Sequence, residues 1–179
     1  MGKTRAALGT LAACLALTAA FSAALLAGAP AGGRTQAFDF ELVDINPRSA
    51  THGRSLSLLG LRAGRGVVLH FVASWCKPCR DELPGLQRLY EEGDVPLVFV
   101  AADESGMRES VLIVAERAAL TVPILFAPED RAGVIAVHYD HEVLPATYFI
   151  DARGTIRSVH EGAMSAERLA RAAATELGP

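Results

Sequence analysis

The chain has 179 residues, 51% of them hydrophobic, with 17 Lys and Arg against 20 Asp and Glu and a formal charge of −3. That length holds one leader and one globular domain of ordinary size. Every acidic residue and all but two of the basic ones lie at or beyond Arg34, an acidic balance that argues against a nucleic-acid or anionic-lipid surface on the globular part.

Lys3 and Arg5 open the chain, no further charge appears before Arg34, and Ala6–Ala29 is almost wholly Ala, Leu and small residues. A basic start followed by an apolar run that ends in small residues is the pattern of an export signal. Ala27-Gly28-Ala29 and Ala29-Pro30-Ala31 offer small-x-small cleavage sites, and Pro30 hinders cutting at the first. The run is also long enough to span a bilayer uncleaved. Leu11-Ala12-Ala13-Cys14 resembles a lipobox, but the apolar run continues well past Cys14, which reads as a small apolar residue of a membrane helix. Residues 1–33 are therefore expected to be a signal peptide or membrane anchor, and residues 34–179 the globular domain. Basic residues ahead of the apolar run place that domain outside the cytoplasm.

Phe38, Phe40 and Leu42 alternate with Asp39 and Glu41, predicting a strand with one buried face. Asn46-Pro47 and Ser49–Arg54 are turn material, and Leu56 and Leu58 alternate with Ser55 and Ser57, completing an N-terminal β-hairpin. Gly60–Gly66 reads as a short loop. Val67–Val72 is a nearly continuous apolar run, as in a strand buried on both faces. Lys77–Tyr90 is expected to be helical, with Leu83, Leu86 and Leu89 on one face and a kink at Pro84. Further along, Pro96–Ala102 reads as a buried strand, Met107–Ala119 as a helix, Val122–Phe126 as a short strand and Asp130–Val137 as a short helix. Ala146–Ile150 and Thr155–His160 form a hairpin about Ala152-Arg153-Gly154, and Ser165 caps a last helix, Ala166–Leu177. Strands alternating with helices and closed by a hairpin and helix imply an α/β fold with a mixed central sheet flanked by helices.

Two of the three cysteines, Cys76 and Cys79, stand at the junction between the buried strand and the following helix, in Trp75-Cys76-Lys77-Pro78-Cys79. Unsatisfied N–H groups and the helix dipole favour a thiolate there. Two thiols so close pass between dithiol and disulfide with little backbone movement. A structural zinc site wants two such pairs, and a purely structural disulfide closing so short a loop would constrain the unfolded chain little. Lys77 adds positive charge beside Cys76, and Pro78 suits a helix start. His138 and His141 are three apart with no third ligand evident, so no metal site is expected, nor any cofactor beyond the redox-active cysteine pair.

The combination of Trp75-Cys76-Lys77-Pro78-Cys79, Arg80-Asp81-Glu82-Leu83-Pro84 and Leu144-Pro145-Ala146-Thr147-Tyr148-Phe149-Ile150-Asp151 with Gly154, behind an export leader, resembles the extracytoplasmic thioredoxin-like proteins of the TlpA/ResA/CcmG type. The resemblance runs from Phe38 to the C-terminus. It implies a thioredoxin-like fold with an N-terminal hairpin and an extra helix and strand before the proline. It further implies that Cys76 is the exposed nucleophile and Cys79 the resolving cysteine, and that Pro145 is a cis-proline lying against them. Leu144 then touches the partner, Trp75 shields the site and packs against partners, and Glu82 tunes thiol titration. One position departs from the family: six residues before Cys76, where thioredoxins carry a buried Asp and this subfamily often Asn, stands His70. A buried imidazole there is either a proton relay for Cys79 or a core histidine satisfied by hydrogen bonds.

The resemblance implies a thiol–disulfide oxidoreductase. As a reductase it would act on disulfides of exported proteins, such as those in cytochrome c or oxidase copper-site maturation, and be recharged by a membrane thiol–disulfide donor. The same exchange run in the folding direction would make an oxidase or isomerase. A copper-binding metallochaperone is a third possibility, since soft thiolates suit Cu(I). Copper-delivery relatives, however, usually space their cysteines by three and place a histidine near the substrate loop.

Overall fold

The computed structural model describes residues 36–127, 135, 138–139 and 141–178. The expected leader lies outside them, as does the expected helix Asp130–Val137 apart from Ile135. Among the described residues no helix is long and apolar enough to cross a membrane.

Seven strands form one mixed sheet in the order β2-β1-β5-β4-β3-β6-β7. They are β1 (Glu41–Asp44), β2 (Ser55–Ser57), β3 (Val67–Val72), β4 (Leu97–Ala101), β5 (Ile124–Phe126), β6 (Ala146–Ile150) and β7 (Ile156–Glu161). The helices are a single turn α1 (Leu58–Leu61), α2 (Lys77–Glu92), α3 (Arg108–Arg117) and α4 (Ala166–Glu176), with a 3-10 turn at Ser105–Met107 leading into α3. β3, β4 and β5 run parallel, while the other pairings are antiparallel.

The central strand β3 is buried along its whole length. Its alternation divides the core. Val68 and Val72 face the layer that holds Leu83, Leu86 and Leu89 of α2, Val111 and Ala115 of α3, and Leu169 and Ala173 of α4. Val67, Leu69 and Phe71 face Phe40, Leu42, Leu58, Tyr139 and Tyr148 on the other side. Because strand side chains alternate with period 2, His70 falls on the α2 face with Val68 and Val72. The Tyr139 hydroxyl donates to Phe38 O at 2.8 Å, and burial holds its ionisation well above the ordinary tyrosine value.

The hairpin β1–β2 is present but shifted. Phe40 N is tied to the Asp39 carboxylate and Phe40 O accepts from Leu58 N, so ladder pairing starts only at Glu41. Leu58 is not a strand residue: the Ser57 hydroxyl accepts Gly60 N–H and nucleates α1, which runs from the expected strand end into the stretch expected to be loop. Nor is the hairpin isolated. β1 also pairs with β5, and Asp44, fully buried, accepts from Ile124 N–H at 3.0 Å. β5 begins two residues later than its apolar pattern suggests. Val122 O accepts from Asn46 Nδ2, and Thr121 and Val122 N–H are taken by Gln87 Oε1. The helix α2 continues unbroken through Pro84, which is exposed and simply forgoes one intrahelical bond, and α2 ends at Gly93 in the left-handed conformation. Gly66 likewise has positive φ, and a Cβ there would lie 2.6 Å from Ile150 O, so the entry to β3 requires glycine.

Candidate active site

The chain leaves β3 at Val72 and turns through 73–76 into α2. Cys76 N–H donates to Ala73 O at 3.1 Å, and Cys76 is the N-cap of α2, its Sγ accepting Cys79 N–H at 3.2 Å. Pro78 stands in the first turn, where a missing N–H costs nothing. Cys76 and Cys79 form a disulfide with their Cα atoms 5.3 Å apart. Cys76 is not the exposed cysteine expected: it is 4% exposed against 1% for Cys79. The difference in depth has the expected sign, but the packed turn and disulfide bury both. Trp75, by contrast, is 61% exposed.

Lys77 lies beside Cys76 in sequence, yet its Nζ is 2.6 Å from Asp81 Oδ2, one helical turn on, in an exposed ion pair. The Leu144–Pro145 peptide bond is cis. The pairing Phe71↔Ala146 sets Pro145 at the sheet end from which the chain passes to Cys76, so the two segments share one rim. Pro145 is buried, Leu144 half-buried and Val143 exposed. Glu142 N–H donates to Glu161 Oε1, anchoring this loop to β7.

Beneath the cysteines lies a buried polar chain. His70, fully buried, faces Thr147 in the β3–β6 register, with Nδ1 3.0 Å from Thr147 Oγ1. Its Nε2 is 2.9 Å from Glu82 Oε1, and Glu82 Oε2 accepts Met164 N–H at 2.9 Å. Glu82 therefore points inward, with a side chain only 8% exposed. Both ring nitrogens of His70 are thus engaged, by Thr147 and by Glu82. The same two bonds satisfy the histidine as a core residue.

Two residues at this rim, Ser74 and Asp103, carry no signal in the linear motif; hydrogen bonds join them to each other and to Arg80. Only the place of Asp103, two residues past the carboxyl end of a central strand, hints at the site. His138 stacks on Phe38 with ring centroids 3.8 Å apart, and His141 packs against Phe71 and Tyr148.

The AhpC/TSA family profile matches residues 34–159. The chain belongs to the AhpC/TSA family. It is 34% identical over 139 residues to the thioredoxin-like protein YneN of Bacillus subtilis, spanning 75% of this chain and 74% of that one. To the thiol–disulfide oxidoreductase ResA of Oceanobacillus iheyensis it is 34% identical over 134 residues, spanning 73% of this chain and 66% of that relative's length. The crystal structure of StoA from Bacillus subtilis superposes with a TM-score of 0.60 at 25% identity, covering 75% of this chain and 95% of the other. This AhpC/TSA-family protein is thus a thiol–disulfide oxidoreductase of thioredoxin-like fold, and its Cys76–Cys79 pair suits dithiol exchange.

Proposed function

We propose that this oxidoreductase works as a reductase of disulfides in exported proteins, outside the cytoplasm. In this scheme residues 1–33 serve as its signal or membrane anchor and residues 34–179 as the working domain. Location and anchoring are supported by the basic start and apolar run of the leader.

The Cys76 thiolate attacks one sulfur of a substrate disulfide, forming a Cys76–substrate bond and expelling the other substrate sulfur as thiolate. The Cys79 thiolate then attacks Cys76 Sγ, forming the Cys76–Cys79 disulfide and releasing the second substrate sulfur. Two electrons and two protons pass to the substrate. A membrane dithiol of the same chemistry restores the pair. Trp75, Leu144 and Pro145 line the approach, where the extended backbone beside a cis-proline offers pairing to a substrate strand. Glu82, held by His70, handles the proton of the resolving thiol.

The observation that carries the reductive direction is the pairing of Lys77 with Asp81. An oxidant needs a strongly stabilised Cys76 thiolate in its reduced form. Here the adjacent ammonium is exposed to water and paired with Asp81, which weakens its pull on Cys76, and the Cys79 N–H is the donor on Cys76 Sγ. The test is the equilibrium reduction potential of the pair, read through the single Trp75 in defined thiol/disulfide buffers. A value near or below thioredoxin's, about −270 mV, supports a reductant; one near about −120 mV makes the protein an oxidant and overturns the proposal.

A further inference from the structure

The turn that carries Trp75 and Cys76 is fixed from outside itself. β3 and β4 run parallel with Val72 opposite Ala101, and the same register carried two residues further sets Asp103 beside Ser74. Both carboxylate oxygens of Asp103 lie 3.0 Å from Ser74 N, and the Ser74 hydroxyl donates to Oδ1. Arg80 Nη1, from the first turns of α2, donates to Ser74 O at 2.7 Å. Every polar group of Ser74 is thus engaged. Asp103 is 5% exposed, and a carboxylate so buried is tolerable only with donors such as these.

Hydrogen bonds reach the turn from both the end of β4 and α2. A cavity of about 20 Å³ lies against it, lined by Val72, Ala73, Ser74, Cys79, Arg80 and Asp103 among others. Two residues beyond Ser74, Cys76 Sγ must sit at the N-cap of α2 to receive Cys79 N–H.

We propose that Asp103 is a positioning residue of this oxidoreductase: its clamp on Ser74 holds Cys76 Sγ at the N-terminus of α2, where the thiolate is stabilised. The inference rests on thiol–disulfide exchange through Cys76 and goes beyond it by assigning the device that sets Cys76 in place. Released from the clamp, the turn samples conformations in which Sγ leaves Cys79 N–H, and the thiolate loses its donor.

The test compares wild type, Asp103→Ala, Asp103→Asn and Ser74→Ala. For each, the reduced protein is titrated for thiolate absorbance and alkylation rate, equilibrated with glutathione, and unfolded in urea. Asp103→Ala is expected to raise the titration midpoint of Cys76 and move the glutathione equilibrium about tenfold toward the disulfide, which is about 30 mV. Asp103→Asn keeps an acceptor oxygen for Ser74 and is expected to restore most of the wild-type behaviour. The sign separates positioning from charge. If the negative charge of Asp103 acted directly, both substitutions would lower the midpoint, and that result overturns the proposal. So does a lowered urea midpoint with unchanged titration and equilibrium, which would make Asp103 merely structural. Should Asp103→Ala fail to fold, Ser74→Ala, which removes only the hydroxyl, is expected to shift the equilibrium about threefold, and no shift overturns the proposal. Failure of wild type itself to exchange with glutathione would remove the exchange activity, whereas exchange in wild type and Asp103→Ala alike removes only the clamp.

Discussion

His70 and Glu82 meet across the interface between the central strand and the cysteine-bearing helix, Nε2 to Oε1 at 2.9 Å, with side chains 0% and 8% exposed. Against a carboxylate only the imidazole can donate, so this contact orients Glu82 while Met164 N–H holds its second oxygen. His70→Leu removes that donor from a nearly buried oxygen. The expected cost is about 1–3 kcal/mol in urea unfolding, with a changed pH profile of Cys79 alkylation. His70→Asn separates the two effects: an unaltered Cys79 pH profile in that variant would sink the role of His70 in proton handling.

Exchange through Cys76 predicts an asymmetric pair of serine variants. Cys79→Ser should accumulate a mixed disulfide with substrate or glutathione, visible as an adduct by mass spectrometry, because nothing resolves it. Cys76→Ser should form none and lose reductase activity. Adducts of equal yield on both variants would reverse or dissolve the assignment.

Leu86 of α2 is fully buried in the layer between helices and sheet. Leu86→Ala is expected to cost about 2–5 kcal/mol, measured by denaturant unfolding. It should leave the glutathione equilibrium of the folded protein at the wild-type value, since it lies well past the N-cap along α2 and takes no part in the hydrogen bonds of the Ser74 clamp. A large shift in potential would show that the site depends on the core beneath it as well as on its hydrogen bonds.

Asp151 closes the β6–β7 turn, its Oδ1 accepting Arg153 N–H and Thr155 N–H at 2.9 Å each. Burial works against the charged form, but those two N–H groups, with Arg157 and Arg153, outweigh it and hold the carboxyl below its ordinary value. A depressed folded value means that the stabilisation is present above the unfolded-state pKa and lost as pH falls through the folded one. Asp151→Asn should therefore be less stable than wild type at neutral pH, and the gap should close in strongly acidic solution. A gap independent of pH would show that the carboxylate charge contributes nothing.

Much of this site could be read in the linear chain because its signals are local. The unbroken apolar run of Val67–Val72, the proline just after Cys76 and the Ser165 cap each act within a few residues, and β3, α2 and α4 form where those signals place them. The β6–β7 hairpin follows its glycine turn, with Gly154 at positive φ. Errors arose where distant groups compete for backbone partners. Asp39 captures two N–H groups and delays β1, while Asn46 and Gln87 cap Leu120–Val122 and delay β5. Side-chain capture of this kind leaves no periodicity to detect.

Composition, spacing and periodicity by themselves determined that the chain carries a redox-capable cysteine pair at a strand-to-helix junction in an α/β sheet, since thiol proximity and helix ends are properties of neighbouring residues. Only the tertiary structure decided how deep Cys76 lies, that Glu82 turns inward to His70, and that Ser74 meets Asp103. The last two contacts join residues 12 and 29 positions apart. Strand register and packing set them, and such pairings exist only once the whole sheet has formed.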